Sequence, residues 1–133
     1  MGDEESVLFA NDLFYTSFAN RDISGMESLW ADSGIVCIHP GWQPLYGREE
    51  VLESWRAIFG DEGVPDVKCR MPRATVYGNI AFIVCVEDLG RSFLCATNMF
   101  VRTEGEWRMT HHHAGPVHLD ERDLPEEPSI PIN

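Results

Sequence analysis

Apolar side chains at Val7, Ala10, Phe14 and Phe18, with Asn11 among them, recur at the i, i+3/i+4 spacing of one helix face. Residues 22–31 read as a second, shorter helix that Asp22 can cap, although Gly25 inside it weakens the helical signal. A short strand from Ile35 to Ile38 stops at His39-Pro40-Gly41. A third helix follows Gly47. Glu49 and Glu50 in its first turn suit the positive end of the helix dipole, Val51, Leu52, Trp55, Ile58 and Phe59 form its apolar stripe, and Gly60 ends it.

The second half reads as strands: Val64 to Met71, Ala74 to Tyr77, Ile80 to Asp88, Arg91 to Thr103 and Trp107 to Ala114. Turn signals separate them at Pro72, Gly78-Asn79, Leu89-Gly90 and Glu104-Gly105-Glu106, with Gly78-Asn79 and Gly105-Glu106 at hairpin spacing. Helices first and a meander afterwards predict an α+β domain with about three helices packed on one face of an antiparallel sheet. Alternation then sorts the side chains. Phe82, Val84 and Val86 share one face, and Ile83, Cys85 and Glu87 the other. In the next strand both faces are apolar, with Leu94, Ala96, Asn98 and Phe100 on one and Phe93, Cys95, Thr97, Met99 and Val101 on the other. In the last, strict alternation puts His111 and His113 beside Trp107 and Met109, and His112 on the side of Arg108 and Thr110. A sheet apolar on both faces needs two covers. The helices supply one and a second copy of the chain is expected to supply the other, as a homodimer packed through the sheet.

At 133 residues, 44% of them hydrophobic, the chain is one domain with enough apolar surface for a core. Three spans are expected: an acidic N-terminal tail over residues 1–5, a domain over 6–115, and an extended, acidic, Pro-containing tail over 116–133. Ten Lys and Arg against 22 Asp and Glu give a net charge of −12, and the two ends carry seven of those charges. Such a surface repels phosphate backbones and anionic bilayers, so neither nucleic acid nor membrane is an expected partner. The longest apolar run, Ile80 to Val86, is far short of a membrane span, and the N-terminus lacks a signal-peptide pattern. Cys37, Cys69, Cys85 and Cys95 show no CxxC spacing, which fits free thiols in a reducing cytoplasm.

Candidate chemistry lies where polar residues interrupt apolar strands. His39 precedes Pro40, which holds it extended and fixes where its imidazole points. It is either a general base or hydrogen-bonding group at a cavity mouth, or a turn histidine satisfied by backbone. Glu87 follows seven apolar residues, placing its carboxylate at a wet strand end or inside a cavity, where desolvation would raise its pKa. Asn98 sits mid-strand among apolar neighbours, and a buried amide there needs partners. His111 and His113, at i and i+2, can both reach one point in space, but no metal-site spacing accompanies them, so no metal is expected. Trp42, Tyr46, Phe14 and Trp55 are candidate cavity walls, the last two also candidate core. No nucleophile elbow, phosphate loop or nucleotide fingerprint is present, and no cofactor is expected.

The spaced set Asn20-Arg21-Asp22, Trp30-Ala31-Asp32, His39-Pro40, Leu45-Tyr46-Gly47-Arg48-Glu49-Glu50-Val51 and the closing Gly105-Glu106-Trp107-Arg108-Met109-Thr110-His111-His112-His113-Ala114 resembles the SnoaL-like branch of the nuclear transport factor 2-like (NTF2-like) superfamily over roughly residues 6–115. That resemblance implies a cone-shaped, cystatin-like α+β half-barrel, commonly dimeric, with a deep cavity between helix and curved sheet. The closing Trp-x-x-x-His-x-His is also similar to the association domain of calcium/calmodulin-dependent kinase, an assembly module. Against ketosteroid isomerase, another member of the superfamily, His39 matches the base before Pro, Phe14 matches an oxyanion-binding Tyr without its hydroxyl, and Asn98 matches a donor two residues before a Phe.

Three functions stay open on these grounds. The first is a dimeric domain binding a small, partly apolar ligand through His39, Glu87, Asn98, His111 and His113, with Trp42 and Tyr46 near the mouth. The second is a cofactor-free isomerase, cyclase or dehydratase with His39 or Glu87 as acid/base and Asn98 as donor. The third is an assembly module.

Overall fold

Three helices pack on a six-stranded sheet in the computed structural model, which describes residues 2–125. Helix α1 spans Asp3–Ala19, α2 Ile23–Leu29 and α3 Arg48–Phe59. The strands are β1 Val36–Ile38, β2 Leu45–Tyr46, β3 Lys68–Tyr77, β4 Ile80–Asp88, β5 Phe93–Thr103 and β6 Glu106–Val117. The order across the sheet is β2-β1-β6-β5-β4-β3. The four long strands form an antiparallel meander, and β1 joins β6 in parallel, so the sheet is mixed rather than wholly antiparallel. The helices lie on one face and the curved sheet closes around them as a cone, the α+β architecture the sequence predicts.

The helix ends follow local chemistry. Asp3, Glu4 and Glu5, read above as a tail, form the acidic first turn of α1. Asp22 caps α2 by accepting from the Gly25 N–H at 3.1 Å. Two arginines then pin helix ends that expose carbonyls. The Arg48 guanidinium donates to the carbonyls of Glu27, Trp30 and Ala31 at 2.6, 3.0 and 3.3 Å, tying the start of α3 to the end of α2. Arg21 takes φ 52° and donates to the carbonyls of Ile58 and Val64 at 3.2 and 2.9 Å, holding the end of α3 and the loop after it.

The strands depart from the sequence reading in three places. The two segments expected around Pro72 are one strand, β3, kinked by a bulge between Arg70 and Arg73 where Met71 takes φ 57°. The β5–β6 turn falls on Glu104-Gly105 rather than Gly105-Glu106, because both central residues of this two-residue hairpin take positive φ, 53° and 81°. The third difference decides the site. In β6, Met99 pairs with His111 but Phe100 pairs with Met109, so Thr110 is an extra residue. One inserted residue reverses the facing of everything beyond it. Trp107 and Met109 point into the core, and after the bulge His112 and Ala114 do too, while His111 and His113 are turned to the opposite face.

The core gathers Phe14 and Val7 of α1, Met26 and Trp30 near α2, Trp55 of α3, and Ile83, Phe100 and Met109 of the sheet. Phe14 is its centre, with edge-on contacts to Tyr15, Trp30 and Trp55 at centroid distances of 4.8, 6.5 and 5.5 Å. At the C-terminal end Pro116 and Val117 still pair with β5, a 3-10 turn follows at Glu121–Asp123, and Leu124 is buried. The remainder of the expected extended tail, 126–133, lies outside the described residues.

Candidate functional site

Three buried polar side chains stand on the inner face of the sheet. Glu87 on β4, Asn98 on β5 and His112 on β6 are each buried and face α1, where Asn11 and Tyr15 are buried one turn apart. They form one directional network. The Asn98 amide Nδ2 donates to Asn11 Oδ1 at 2.8 Å and to Tyr15 Oη at 3.1 Å. Tyr15 Oη donates to Glu87 Oε2 at 2.6 Å, and Cys85 Sγ lies 3.2 Å from the same hydroxyl. Asn98 Oδ1 is left as an acceptor for His112 Nδ1 at 2.5 Å. The imidazole therefore carries its proton on Nδ1, and the unprotonated Nε2 faces Glu87 Oε2 at 3.9 Å.

His39 is held from the other side. Ser54 Oγ donates to the Val51 carbonyl at 2.6 Å, so toward His39 Nε2, 2.9 Å away, it can only accept. His39 is thus the Nε2–H tautomer, with Nδ1 unprotonated and only the weak Cys37 thiol at 4.0 Å beside it. Its ring meets Trp55 and Trp42 edge-on, each at 4.8 Å, and stands 6.5 Å from the His112 ring.

Burial governs the ionisation of these groups. It lowers His39 to about 4. It lowers His112 to about 3, with further contributions from the charges of His39, His111 and His113. It raises the Glu87 carboxyl, while the hydrogen bond from Tyr15 pulls the other way. It also raises the Tyr15 phenol, and the neighbouring Glu87 carboxylate adds to the rise.

Glu87, His39 and His112 line a cavity of about 390 Å³ whose remaining wall is largely apolar, with Trp55, Phe18, Val67 and Leu94 among its residues and Trp42 also on it. No lysine or arginine lines it among the described residues, and Asp61 adds a carboxylate at its border. Among those residues, too, no three His, Cys, Asp or Glu side chains stand together as a metal cluster would need.

Of the sequence candidates, the structure brings His39, Glu87, Trp42 and Trp55 around one cavity. Asn98 stands behind them with both its donor and its acceptor committed inside the protein, so it orients His112 and offers no hydrogen bond to a ligand. Phe14 packs beneath the His112 ring at 5.0 Å without lining the cavity. Tyr46 is 64% exposed on β2, away from it. His111 and His113 sit on the outer face of the sheet, 6.4 Å apart, because of the bulge. Two cone residues escaped the sequence reading. Strict alternation puts His112 on the side of Arg108 and Thr110, opposite Trp107 and Met109, whereas the bulge brings it to their side. Tyr15 follows Phe14 immediately and returns a hydroxyl to the cone from the next position; the buried Asn11 four residues earlier was the signal that this helix face is partly polar.

The SnoaL-like domain family matches residues 7–117, and the chain belongs to that family, within the NTF2-like superfamily. Among solved structures, a Streptomyces avermitilis protein named as a candidate dehydratase of the NTF2-like family is 34% identical, with a TM-score of 0.78 over 88% of this chain and 97% of that one. A Thiobacillus denitrificans protein named as a candidate calcium/calmodulin-dependent protein kinase type II association domain is 32% identical, with a TM-score of 0.71 over 82% of this chain and 93% of that one. The F-box protein SKIP8 of Arabidopsis thaliana is 29% identical over 123 residues, 90% of this chain. The chain spans about half, 53%, of that curated relative's length.

Proposed function

We propose that the cone binds a small, partly apolar molecule, with its polar end at His39, Glu87 and His112. One observation carries this reading. Glu87, His39 and His112, all buried, are gathered on the wall of a largely apolar cavity, held there by hydrogen bonds that leave one nitrogen of each imidazole uncommitted. Purely structural packing would favour apolar side chains at such positions, and the volume is in the range of ligand pockets, roughly 300–1,000 Å³. The test is titration with neutral bicyclic aromatics, 2-methoxynaphthalene first, read on the indole N–H resonances of the four tryptophans. Saturable shifts of Trp55 and Trp42 are expected, and no perturbation of either overturns the reading.

Acid–base catalysis in the same cavity is the second reading, as a cofactor-free isomerase, cyclase or dehydratase with Glu87 or His39 as base. Its support is the uncharged imidazole nitrogen of His112 facing the Glu87 carboxyl at 3.9 Å, together with the kinship to the Streptomyces avermitilis protein. A rate left unchanged by both Glu87→Gln and His39→Phe counts against it.

The partner we infer for the outer sheet face is a second copy of the chain. Ile80 and Val84 are exposed there, and Phe82, Val86, Met99 and Val101 are half-buried around them. The four free thiols fit residence in a reducing compartment such as the cytoplasm. Light scattering should give a dimer that Val84→Glu dissociates; a 15.1 kDa wild-type species at micromolar concentration rules the dimer out.

A further inference from the structure

We infer that the cone selects neutral ligands that donate a hydrogen bond, such as alcohols and phenols, and rejects carboxylates and other anions. This deepens the binding reading above and rests on it.

The argument is one of hydrogen-bond direction. Ser54 has a single hydroxyl proton, and the Val51 carbonyl, which can only accept, takes it at 2.6 Å. His39 must then supply the proton for the 2.9 Å contact between Nε2 and Ser54 Oγ, leaving Nδ1 as an acceptor. A second chain fixes His112. The Asn98 amide spends its hydrogens on Asn11 and Tyr15, so its carbonyl oxygen receives the Nδ1 proton of His112 and Nε2 is left as an acceptor. Glu87 already accepts from Tyr15 through Oε2. Two unrelated networks, one through α3 and one through α1 and β5, thus leave one acceptor nitrogen on each of the two imidazoles that line the cavity.

Charge acts in the same direction. The cavity has two carboxylate residues on its wall, Glu87 and Asp61, and, among the described residues, no lysine or arginine there to balance an incoming anion. A carboxylate would lose its hydration, meet lone pairs, and gain no donor in return. A hydroxyl on an apolar ring loses little and gives its proton to His112 Nε2 or His39 Nδ1. This is the opposite polarity from an oxyanion hole, which presents donors to a developing negative charge.

Four probes of one shape separate the possibilities at pH 7.5: 2-naphthol, 2-methoxynaphthalene, 2-acetylnaphthalene and 2-naphthoate, titrated against wild-type protein on the tryptophan indole resonances. The expected result is 2-naphthol bound roughly tenfold more tightly than its methyl ether, the ratio of one net hydrogen bond, with the ketone no better than the ether and 2-naphthoate undetectable. Equal binding of naphthol and ether, or detectable binding of the carboxylate, overturns donor selection while leaving the cavity as a binding site. No binding by any of the four overturns both. Ser54→Ala removes the group that fixes the His39 tautomer. In that variant the ketone should gain on the naphthol by several-fold, and an unchanged ratio removes His39 from the selecting groups.

Discussion

Tyr15 on the first helix donates a 2.6 Å hydrogen bond to Glu87 on the fourth strand, 72 positions away, and both groups are buried. This bond favours the charged carboxylate, whereas desolvation opposes it. Tyr15→Phe removes the stabilising half of that balance. The carboxyl pKa of Glu87, followed by carbon-13 NMR, should rise further. Stability to urea should fall by about 1–3 kcal/mol, the cost of leaving a buried acceptor and the Asn98 amide short of a partner. A Glu87 pKa that stays put or falls in Tyr15→Phe contradicts this coupling.

The pH dependence of folding between pH 6.5 and 4 is set mainly by three buried groups, with the half-buried His111, also lowered, acting in the same sense as the other two histidines. His39 and His112 have folded pKa values of about 4 and about 3, below the ordinary 6.5. Between those values the unfolded chain binds more protons than the native one, so stability is intact above pH 6.5 and is lost as pH falls toward 4. Glu87, whose folded pKa is raised from 4.5, acts in the opposite sense: the native state binds the extra proton above pH 4.5, so acidification there favours folding. Two depressed groups outweigh one raised group, and the thermal midpoint should drop between pH 6.5 and 4. Glu87→Gln keeps an acceptor for Tyr15 and removes the opposing contribution, so its drop should be steeper than that of the wild type. A wild-type midpoint that holds steady or rises on acidification over that interval contradicts the assignment.

What was legible beforehand tracks whether information is local. The amphipathic spacing around Phe14 and around Trp55, the Asp22 cap and the alternation Ile83-Cys85-Glu87 are each set by neighbours a few residues away, and the structure carries all of them. The bulge at Thr110 is set by how β6 must curve against β5, which the strand itself does not announce. Strict alternation therefore sends His111 and His113 to the cone, where the structure places His112. The functions of Arg21 and Arg48 were equally hidden. Each was visible as part of a spaced motif, but its partners are backbone carbonyls brought near only by the packing of α2 and α3. Tyr15 was overlooked because one face of a helix is wider than one residue per turn.

The fork of Arg48 makes three bonds that no shorter or single-pointed side chain reproduces. Arg48→Ala should cost about 2–3 kcal/mol, since part-buried carbonyls lose charge-assisted donors. Arg48→Lys should recover less than half of this, because an ammonium cannot span carbonyls of Glu27 and Trp30 at once. Urea midpoints of the three proteins check this, and a lysine variant equal to the wild type means that charge alone, not the fork, holds α2 to α3.

Gly25 reverses a general expectation. In the interior of an exposed helix, Gly→Ala stabilises by about 1 kcal/mol. Here a methyl group on residue 25 would stand 2.3 Å from Ser17 Oγ and 2.8 Å from Asp22 Oδ2. Ser17 is buried against α2, and Asp22 is the cap that accepts from the Gly25 N–H, so neither can withdraw without loss. The close approach of α1 to α2 explains why a residue that weakens the helical pattern occupies its third position. Gly25→Ala should therefore destabilise by about 1–3 kcal/mol through overpacking and loss of the cap. Gly25→Ser should be at least as costly, because the larger side chain meets the same two atoms. If thermal denaturation finds the alanine variant more stable than the wild type, propensity outweighs packing at this junction and the account of the α1–α2 contact is wrong.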